Sequence, residues 1–497
     1  MSDVEKAQAL ADTFKESHNI SSDRSPEVEN SINRIINSQV GAFDIIESSE
    51  ITSILSSLNH KKATGLDNIP NCILSGLAKS RPFVDLLVIL FNECIHRCYF
   101  PKDWKKAKIV AIPKSKIFEK ILLSRLKEFE KNHNIFINEQ FGFKNGHSTT
   151  QQILRLTKQI SLGFNKRKST ALILFDFKKA FDTVWHDGLL HKLLLNNYPV
   201  YLIKLLFSYL SDRVAAVYLN QSYSNFYKVK AGVPQGSLLA PHLFNVYIND
   251  VPKPKHGNIA LFADDTAMYF EVSWKNLNLA KKRIQENFNC LIHYIDKWKI
   301  KLNENKTKII MFSKSNVMLK KVENDLVMLG NSNFEWQESV KYLGVILDRK
   351  LLFKKHIDRS IAIANGVTFS SFYCLFKRNN SLDSAEKVFL YKAYVRPILT
   401  YACQIFNNCA KTHLIKIQVF QNKILRLCYN TNWDDFISNE TLHSRADLPL
   451  IRDFVDKLVN RFYNICQTHD NVLISSLGIY NNNLFTTRFK HRLPIAI

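Results

Sequence analysis

The chain has 497 residues, of which 46% are hydrophobic and 23% charged, and these values exclude wholesale disorder. Its 9 cysteines are scattered along a long chain, which excludes a disulfide-rich scaffold and favours reduced thiols. The 68 basic residues outnumber the 44 acidic ones, giving a formal net charge of +24. Such a charge favours nucleic acid as a partner, with a merely solvated basic surface as the alternative.

The charge is uneven, because residues 1–60 are net acidic and residues 61–170 are the most basic part of the chain. No apolar run approaches the roughly 18 residues that a membrane span needs. The first residues also lack the basic and apolar segments of a signal peptide. We therefore expect an intracellular protein with no membrane partner.

The hydrophobic pattern predicts mixed helices and strands, followed by a nearly all-helical C-terminal part. Residues 1–30 predict a helix and a loose linker. Further helices are predicted at 83–98 (buried), 117–130, 150–162 (capped by Ser148–Thr149–Thr150), 186–196, 238–249 and 276–301. Strands are predicted at 107–112, 171–177, 215–220, 227–233, 259–272 (two strands meeting at Ala263–Asp264–Asp265), 307–313, 325–330 and 340–348. After His356 the pattern is helical to about Asn464, with a break at Arg396–Pro397.

Two acidic clusters lie among apolar residues. Asp176 is part of the apolar strand LILFDF, and Asp264 and Asp265 lie between the apolar runs LFA and TAMYF. Burying carboxylates is costly unless a cation neutralises them, and Mg²⁺ prefers such hard oxygen ligands. Two metal ions held in this way can clamp the attacking and leaving oxygens of a phosphoryl transfer. A solvated β-turn is the alternative for an isolated Asp-Asp pair.

Other segments carry a family resemblance together with these clusters. They are HKKATGLDNIP (60–70), FPKDWKKAKIVAIPK (100–114), NEQFGFKNGHSTTQQIL (138–154), ILFDFKKAFDTVWHDGLL (173–190), AGVPQGSLLAPHLFNVYINDVP (231–252), FADD (262–265), LNENKTKIIMF (302–312), VKYLGVILD (340–348) and YKAYVRPILTYACQIF (391–406). In this order they resemble the reverse transcriptases of non-LTR (LINE-type) retrotransposons, most closely the jockey-like group. The resemblance extends from about Leu58 to Asn430.

The resemblance implies an α+β right-hand polymerase fold, with fingers, a palm containing an antiparallel sheet and a helical thumb. Residues 1–57 would be a partly flexible N-terminal extension, 58–165 the fingers, 166–350 the palm with some finger elements, and 351–497 the helical thumb with a C-terminal extension. The implied activity is that of an RNA-directed DNA polymerase, with an RNA template, a DNA primer or target and dNTPs as partners. Such a protein would work in the cytoplasm and nucleus.

The resemblance also implies a site for two Mg²⁺ or Mn²⁺ ions. Asp176, Asp264 and Asp265 would be its catalytic carboxylates, with Asp264 the surer direct ligand of the last two. The backbone carbonyl of Phe177 would complete the metal site. Asp182 would tie the strand–helix turn instead of binding metal.

Five residues are expected at the nucleotide. Phe181 would close under the sugar, Gly236 would let the backbone approach the base, and Gln235 would form hydrogen bonds near the nucleotide and template. Lys306 would protonate pyrophosphate, and Lys114 would contact the triphosphate. The alternatives are a core aromatic for Phe181, a plain helix-entry turn for residues 232–237 and a surface lysine for Lys306.

A further set is expected to bind nucleic acid. The finger lysines would contact phosphates, and a turn resembling the primer grip would approach the DNA backbone. For any single lysine the alternative is a solvated charged face. Trp104 and Phe141 could stack on bases, although core packing is the commoner fate of such residues. The predicted set is Lys61, Lys62, Lys105, Lys106, Lys108, Tyr342, Leu343 and Gly344.

The sequence departs from the family in two places. IPKS (112–115) continues almost directly into KIFEKILLSRL (116–126). In the family, a lysine and a following arginine hold the triphosphate. Lys114 matches the lysine, but no residue here matches the arginine. Residues 1–57 are too few for the endonuclease that precedes the polymerase in full elements, so a polymerase segment is expected. The alternative function is an impaired remnant that only binds nucleic acid, and a maturase-like splicing helper is a weaker third possibility.

Overall fold

The computed structural model describes residues 2–18, 25–60, 69–109, 116–220, 222–273, 275–323, 325–330, 332–377, 381–431, 435 and 437–478, without the side chains of 106–109 and 116. Several sequence predictions fall outside these residues. They concern the linker at 19–24, the residues Lys61, Lys62 and Lys114, and the side chains of Lys106 and Lys108.

Helices account for most of the regular structure in the described residues. They are α1 (Asp3–Ser17), α2 (Pro26–Asn37), α3 (Ser48–Ser56), α4 (Asn71–Gly76), α5 (Arg81–His96), α6 (Lys116–His133), α7 (Thr149–Asn165), α8 (His186–Leu195), α9 (Val200–Leu210), α10 (Ala240–Tyr247), α11 (Leu277–Lys297), α12 (Asn316–Glu323), α13 (Lys354–Gly366), α14 (Tyr373–Phe376), α15 (Ser384–Leu390), α16 (Arg396–Thr400), α17 (Cys403–Phe406), α18 (Lys411–Cys428), α19 (Asn439–Arg445), α20 (Ile451–Gln467) and α21 (Val472–Ser475).

The strands are shorter and form three sheets. They are β1 (Lys106–Ile109), β2 (Lys168–Phe175), β3 (Arg213–Leu219), β4 (Ser222–Tyr223), β5 (Tyr227–Val229), β6 (Asn258–Phe262), β7 (Asp265–Ser273), β8 (Lys308–Phe312), β9 (Leu326–Leu329), β10 (Ser332–Gln337), β11 (Ser339–Tyr342) and β12 (Val345–Asp348). The mixed α and β content agrees with the predicted α+β class.

The chain divides into two compact units, of which the first comprises Met1–Phe143, Asp176–Pro252 and Cys290–Asn303. In this unit β3 pairs in parallel with β1 and antiparallel with β5, so the predicted pairing of 215–220 with 227–233 is confirmed. Helix α1, capped by Ser2 and Glu5, packs its small residues Ala7 and Ala11 against Tyr227 and other side chains of this sheet.

A buried lysine of α8 contacts residues 247–250 and 294–298, which belong to the same first unit. The Lys192 ammonium group of α8 donates to Asp250 Oδ1 at 2.5 Å, to Tyr294 Oη at 3.0 Å and to the carbonyl oxygen of Tyr247. It also lies 4.0 Å from the ring centroid of Trp298. Burial lowers the pKa of Lys192 to about 8, although its contact with Asp250 opposes this shift. The charge is therefore retained near pH 7 because several polar and aromatic groups surround it.

The second unit comprises Lys144–Phe175, Lys253–Asn289 and Glu304–Ile497. Its six-stranded sheet has the order β6-β7-β2-β8-β10-β9, with β2 paired antiparallel to both β7 and β8. The predicted central strand is thus confirmed. Helix α7 begins at a capping box formed by Ser148 and Gln151, as the sequence predicts, and packs on β2. Side chains of α7, the sheet and the C-terminal helices form one hydrophobic cluster.

The C-terminal helical region departs from the prediction at Pro397. We predict a break at Arg396–Pro397, but the helical path continues from Ser384 to Thr400, through a π-helical segment at Tyr391–Val395. Proline removes a backbone donor and collides with the preceding turn of a regular α-helix. The wider π turn immediately before Pro397 relieves that collision. The path ends instead at Thr400, two residues before Ala402, whose φ is +55°.

Other predictions need correction in detail. Helix α5 is only half-buried, because Leu86 and Ile89 are 60% and 67% exposed, while Phe91 and Ile95 face the core. Residues 340–348 form parts of two strands, β11 and β12, that turn at Leu343 and Gly344. Helices α2, α3, α4, α9, α12 and α21 and strands β4 and β10 are additional elements that the sequence did not predict. The almost continuous apolar residues of α9 conceal its period, since they face a buried environment on most sides.

No helix among the described residues is long and apolar enough to cross a membrane. The domain boundaries inferred from the family resemblance stay predictions.

Replacing Lys192 should destabilise the first unit. Lys192→Ala removes the polar bonds and the packing on Trp298, and we expect it to lower the free energy of unfolding by about 2–4 kcal/mol. Lys192→Met should recover the packing part. Urea denaturation measures both, with Lys131→Ala on the exposed face of α6 as the control. Equal stability of Lys192→Ala and the control would contradict the role of this lysine.

The same lysine should make stability depend on pH. Its folded pKa of about 8 lies below the ordinary lysine pKa of 10.5, so between these values the unfolded chain binds more protons. The free energy of unfolding of the wild type, relative to Lys192→Met, should therefore rise as the pH increases through this window. The rise should approach roughly 1.4 kcal/mol for each unit that separates the two pKa values. Denaturation curves from pH 7 to 10.5 measure it, and a falling difference would refute the assignment.

Candidate active site

The adjacent carboxylates Asp264 and Asp265 lie at the tip of the β6–β7 hairpin in the second unit. Phe262 pairs with Asp265, which leaves Ala263 and Asp264 as the turn between the strands. Ala263 adopts a φ of +55°, a left-handed conformation that costs a non-glycine residue some free energy and is common in tight hairpin turns. Asp264 is half-buried and Asp265 is exposed. The two carboxylates thus lie outside the hydrophobic core.

Asp176 follows the last residue of the central strand. Within the second unit β2 pairs with β7 so that Phe175 lies opposite Thr266, and Asp176 is the next residue in the chain. In the first unit, Asn303 Nδ2 donates to Asp176 Oδ2 at 2.9 Å, and the Asn303 amide donates to the Asp176 carbonyl at 2.7 Å. Asn303 therefore fixes both the backbone and the carboxylate of this residue.

The backbone around Phe177 is also fixed. Phe177 is buried and forms an antiparallel bridge with Leu302. The Lys178 amide donates to the Lys301 carbonyl at 2.8 Å, which continues the same pairing. This short ladder holds the residue whose carbonyl is predicted to complete the metal site.

The turn at 232–237 is held by contacts with the Phe181–His186 segment. The amides of Gly232 and Val233 donate to the carbonyls of Val184 and Phe181, each at 2.8 Å. His186 Nε2 lies 2.8 Å from the Gly232 carbonyl, and burial lowers the pKa of His186 to about 4. The ring is therefore neutral near pH 7, and its Nε2–H must be the donor, since a carbonyl can only accept.

Gln235 and Gly236 have different surroundings in this turn. Gln235 Nε2 donates to Asp182 Oδ1 at 2.7 Å. Asp182 therefore ties the 232–237 turn, whereas the turn predicted for it is the one between β2 and α8. Within that second turn its amide donates to the Lys179 carbonyl at 2.8 Å. Gly236 has a φ of +84°, is exposed, and has no atom within 4 Å of the position that a Cβ would occupy. The exposed backbone at Gly236 is consistent with close approach by another molecule.

The predicted sugar contact, Phe181, is half-buried in an aromatic cluster. Its ring stacks on Phe244 with a centroid distance of 4.5 Å and meets Phe143 edge-on at 5.9 Å. Phe181 is thus held in a fixed orientation. These surroundings fit both interpretations of Phe181, as a residue that contacts the sugar and as an aromatic residue of the core.

The lysine predictions have mixed outcomes. Lys105, predicted at phosphates, is buried with 4% of its surface exposed, and burial lowers its pKa. A buried ammonium group is unsuited to a phosphate at the surface, so the structure argues against that contact. Lys306 is exposed at the turn before β8. Trp104 packs against Phe100 and Phe91, and Phe141 is fully buried, so both belong to the core.

The turn that resembles the primer grip joins β11 and β12. Tyr342 is buried rather than exposed, and burial, followed by the charge of Asp265, raises its pKa. Its side chain is therefore unsuited to contact nucleic acid directly. Gly344 is exposed, and Tyr401 Oη donates to the carbonyl of its half-buried neighbour Leu343 at 2.8 Å. The backbone of this turn is the part that a nucleic acid could reach.

The donor chemistry of the predicted metal site fits Mg²⁺, since Asp264 and Asp265 are hard oxygen ligands accessible at a hairpin tip. Within the described residues, which include all three predicted carboxylates, no group of three or more His, Cys, Asp or Glu side chains is arranged to hold a metal ion. The metal ligands therefore stay a prediction.

Two contributors to the site were not identified from the sequence. Asn303 belongs to the LNENKTK segment, which resembles a family motif. That resemblance did not indicate its contact with Asp176, which lies 127 residues earlier in the chain. His186 appeared only as the first residue of a predicted helix. Local patterns contain no information on such long-range pairings, so only the fold reveals them.

Comparisons with known proteins agree with the family resemblance that the sequence motifs indicate. Residues 101–347 match the family model for reverse transcriptase (RNA-dependent DNA polymerase). The chain is 30% identical over 457 residues to the probable RNA-directed DNA polymerase from transposon X-element of Drosophila melanogaster, covering 87% of this chain and 49% of that protein. It is 28% identical over 457 residues to the RNA-directed DNA polymerase from mobile element jockey of the same organism, covering 86% of this chain and 48% of that protein.

The chain spans about half the length of these curated relatives. Among solved structures, apo telomerase from Candida tropicalis is similar to this chain at 12% sequence identity and a TM-score of 0.33. The match covers 72% of this chain and 60% of the telomerase chain. That score is too low to bear on the fold. The sequence matches confirm the resemblance that the motifs predict.

The two glycines of the 232–237 turn should differ in their tolerance of a side chain. A Cβ at Gly232 would lie 2.6 Å from the Asp182 carbonyl oxygen, whereas one at Gly236 meets open space. Gly236→Ala should lower the free energy of unfolding by only about 1–2 kcal/mol, which is the cost of placing an alanine in a left-handed conformation. Gly232→Ala should cost about 1–3 kcal/mol more, because backbone atoms must move. Thermal and urea unfolding measure both, and equal losses would contradict the described packing.

Proposed function

Because the chain belongs to the reverse transcriptases of jockey-like non-LTR retrotransposons, we propose that it is an RNA-directed DNA polymerase. It would extend the 3′ end of a DNA primer on an RNA template, with dNTPs as substrates. The elements described above would correspond to the fingers, palm and thumb of a right-hand polymerase, with boundaries near residues 58, 166 and 351. The cytoplasm and nucleus are the compartments proposed for this activity.

The register of the central strands carries the proposal. β2 and β7 pair Phe175 with Thr266. Asp176 directly follows the first of these residues, and Asp264–Asp265 directly precede the second. The ends of two paired strands thus carry the three carboxylates that the proposal requires.

The metal chemistry is proposed from the donor set. Asp176, Asp264 and Asp265, with the carbonyl of Phe177, would hold two Mg²⁺ or Mn²⁺ ions. When bound, such ions lower the pKa of a primer hydroxyl and stabilise the charge of the leaving pyrophosphate. Asn303 would orient the Asp176 carboxylate for this role, because its amide occupies one oxygen at 2.9 Å.

The remaining residues would position the substrates. Phe181, fixed between Phe143 and Phe244, would lie under the sugar of the dNTP. The exposed backbone at Gly236 would approach the base, and Lys306 would supply a proton to pyrophosphate. The turn at Leu343 and Gly344 would contact the backbone of the primer. Lys61, Lys62, Lys106, Lys108 and Lys114 remain proposed contacts for phosphates.

Asp264→Asn should abolish most polymerase activity. The substitution preserves volume but removes the negative charge that would hold a metal ion, so we expect incorporation of dTTP on poly(rA)/oligo(dT) to fall at least about 10²-fold. Omission of Mg²⁺ should have the same effect. Asp296→Asn on the exposed face of α11 is the matched control and should retain activity.

The outcomes of this assay separate the two candidate functions. Full activity of Asp264→Asn would refute the proposed carboxylate role. A wild type that binds poly(rA)/oligo(dT) with strong salt dependence but incorporates no dTTP would support the alternative, an impaired remnant that only binds nucleic acid.

A further inference from the structure

The exposed turn at Gly236 rests on two buried carboxylates of the first unit. Side chains that approach a reacting nucleotide need fixed supports, because a displacement of about 1 Å can cost a large factor in rate. The turn itself has no regular secondary structure before α10 begins at Ala240. The contacts on its two sides therefore decide how rigid it is.

Asp182 supports the turn from one side. It is a buried residue, and its Oδ1 accepts from Gln235 Nε2 at 2.7 Å. The Asp182 amide donates to the Lys179 carbonyl at 2.8 Å, which fixes the backbone that carries this carboxylate. A buried carboxylate is costly without such a donor, so the pairing with Gln235 is expected to be persistent.

Glu119 supports the turn from the other side. It belongs to α6, is 2% exposed, and its Oε2 accepts from the Leu238 amide at 2.8 Å. The neighbouring Ser237 hydroxyl lies 2.7 Å from Tyr209 Oη, and a hydrogen bond joins Tyr209 to Glu119. The buried network thus closes around the residues that follow Gly236.

The N-terminal helix extends the support on the Asp182 side. His18, at the C-terminal end of α1, has its Nε2 3.9 Å from Asp182 Oδ1, and its ring stacks with Tyr227 at 5.9 Å. Ser17 of the same helix accepts a hydrogen bond from Lys179. Of these two residues outside the family-matched segment, His18 therefore lies beside the Asp182 carboxylate, and Ser17 contacts Lys179, whose carbonyl accepts from the Asp182 amide.

We propose that Asp182 and Glu119 are positioning residues that hold the Gln235–Leu238 segment from two sides, and that Gln235 acts mainly as the anchor of this segment. This inference rests on the proposed polymerase function and deepens it. The donor group of Gln235 is engaged by Asp182, which leaves the backbone at Gly236 as the surface offered to the nucleotide.

The test is a double-mutant cycle on the Asp182–Gln235 pair. Gln235→Ala, Asp182→Ala and the double variant should each lower kcat/KM for dTTP on poly(rA)/oligo(dT) by about the same factor, roughly 10-fold to 100-fold. Asp182→Asn keeps an acceptor for Gln235 Nε2 and should restore most of the activity. Losses that multiply in the double variant, with KM for dTTP raised by Gln235→Ala alone, would overturn the anchor role.

Glu119 is tested in the same way. Glu119→Ala should lower kcat/KM, whereas Glu119→Gln, which keeps an acceptor for the Leu238 amide, should restore most of it. Glu128→Ala, on an exposed position of the same helix, is the matched control and should be unchanged. Equal activities of Glu119→Ala and the control would overturn the role of Glu119.

Hydrogen exchange of the unliganded protein separates this inference from the proposed function. Amides of residues 232–238 should exchange at least about 10-fold faster in Asp182→Ala, Glu119→Ala and Gln235→Ala, and at the wild-type rate in Glu128→Ala. Gln235 is exposed, so its variant should fold even where a buried substitution does not. If the wild type incorporates no dTTP, the proposed function fails while this measurement still decides the inference. Unchanged exchange in Gln235→Ala would overturn it.

Discussion

Backbone hydrogen bonds between β2 and β7 fix the arrangement on which the rest of the second unit depends. Their register extends from Lys168 opposite Ser273 to Phe175 opposite Thr266. A shift by one residue would turn each β7 side chain to the other face of the sheet. The exposed Asp265 and the buried Thr266 would then exchange environments. Burial of Thr266 and its apolar neighbours therefore helps to keep the carboxylates at the hairpin tip.

Tight turns with left-handed residues occur at both candidate substrate-facing hairpins. Ala263 and Leu343 have φ values of +55° and +44°, although neither is glycine. Such conformations cost free energy and persist only where neighbouring structure fixes them. In each case the flanking strands are paired directly up to the turn, so the ladder bonds supply that constraint.

The sequence predicted local features well because their causes are local. The cap at Ser148, the strand before Asp176 and the hairpin at Asp264–Asp265 each depend on residues close together in the chain, and each is present. The burial of Lys105 was missed because a count of charges does not reveal which ammonium groups are covered. The pairing of Asn303 with Asp176 was missed because it depends on the path of the chain between them. The helix break predicted at Pro397 was wrong because a π turn before it accommodates the proline within the helical path.

The position of α1 changes how the first 57 residues should be regarded. The family resemblance predicts a partly flexible N-terminal extension, yet Ala7 and Ala11 are buried against Ala215, Val217 and Tyr227. Helix α2 likewise packs on α8, and Ser31 Oγ lies 2.8 Å from His191 Nδ1. A recombinant fragment that begins at residue 58 would expose this apolar surface to water, and exposed apolar patches promote aggregation. An expressed fragment that includes the family-matched residues should therefore also include the N-terminal helices, which cover this apolar surface.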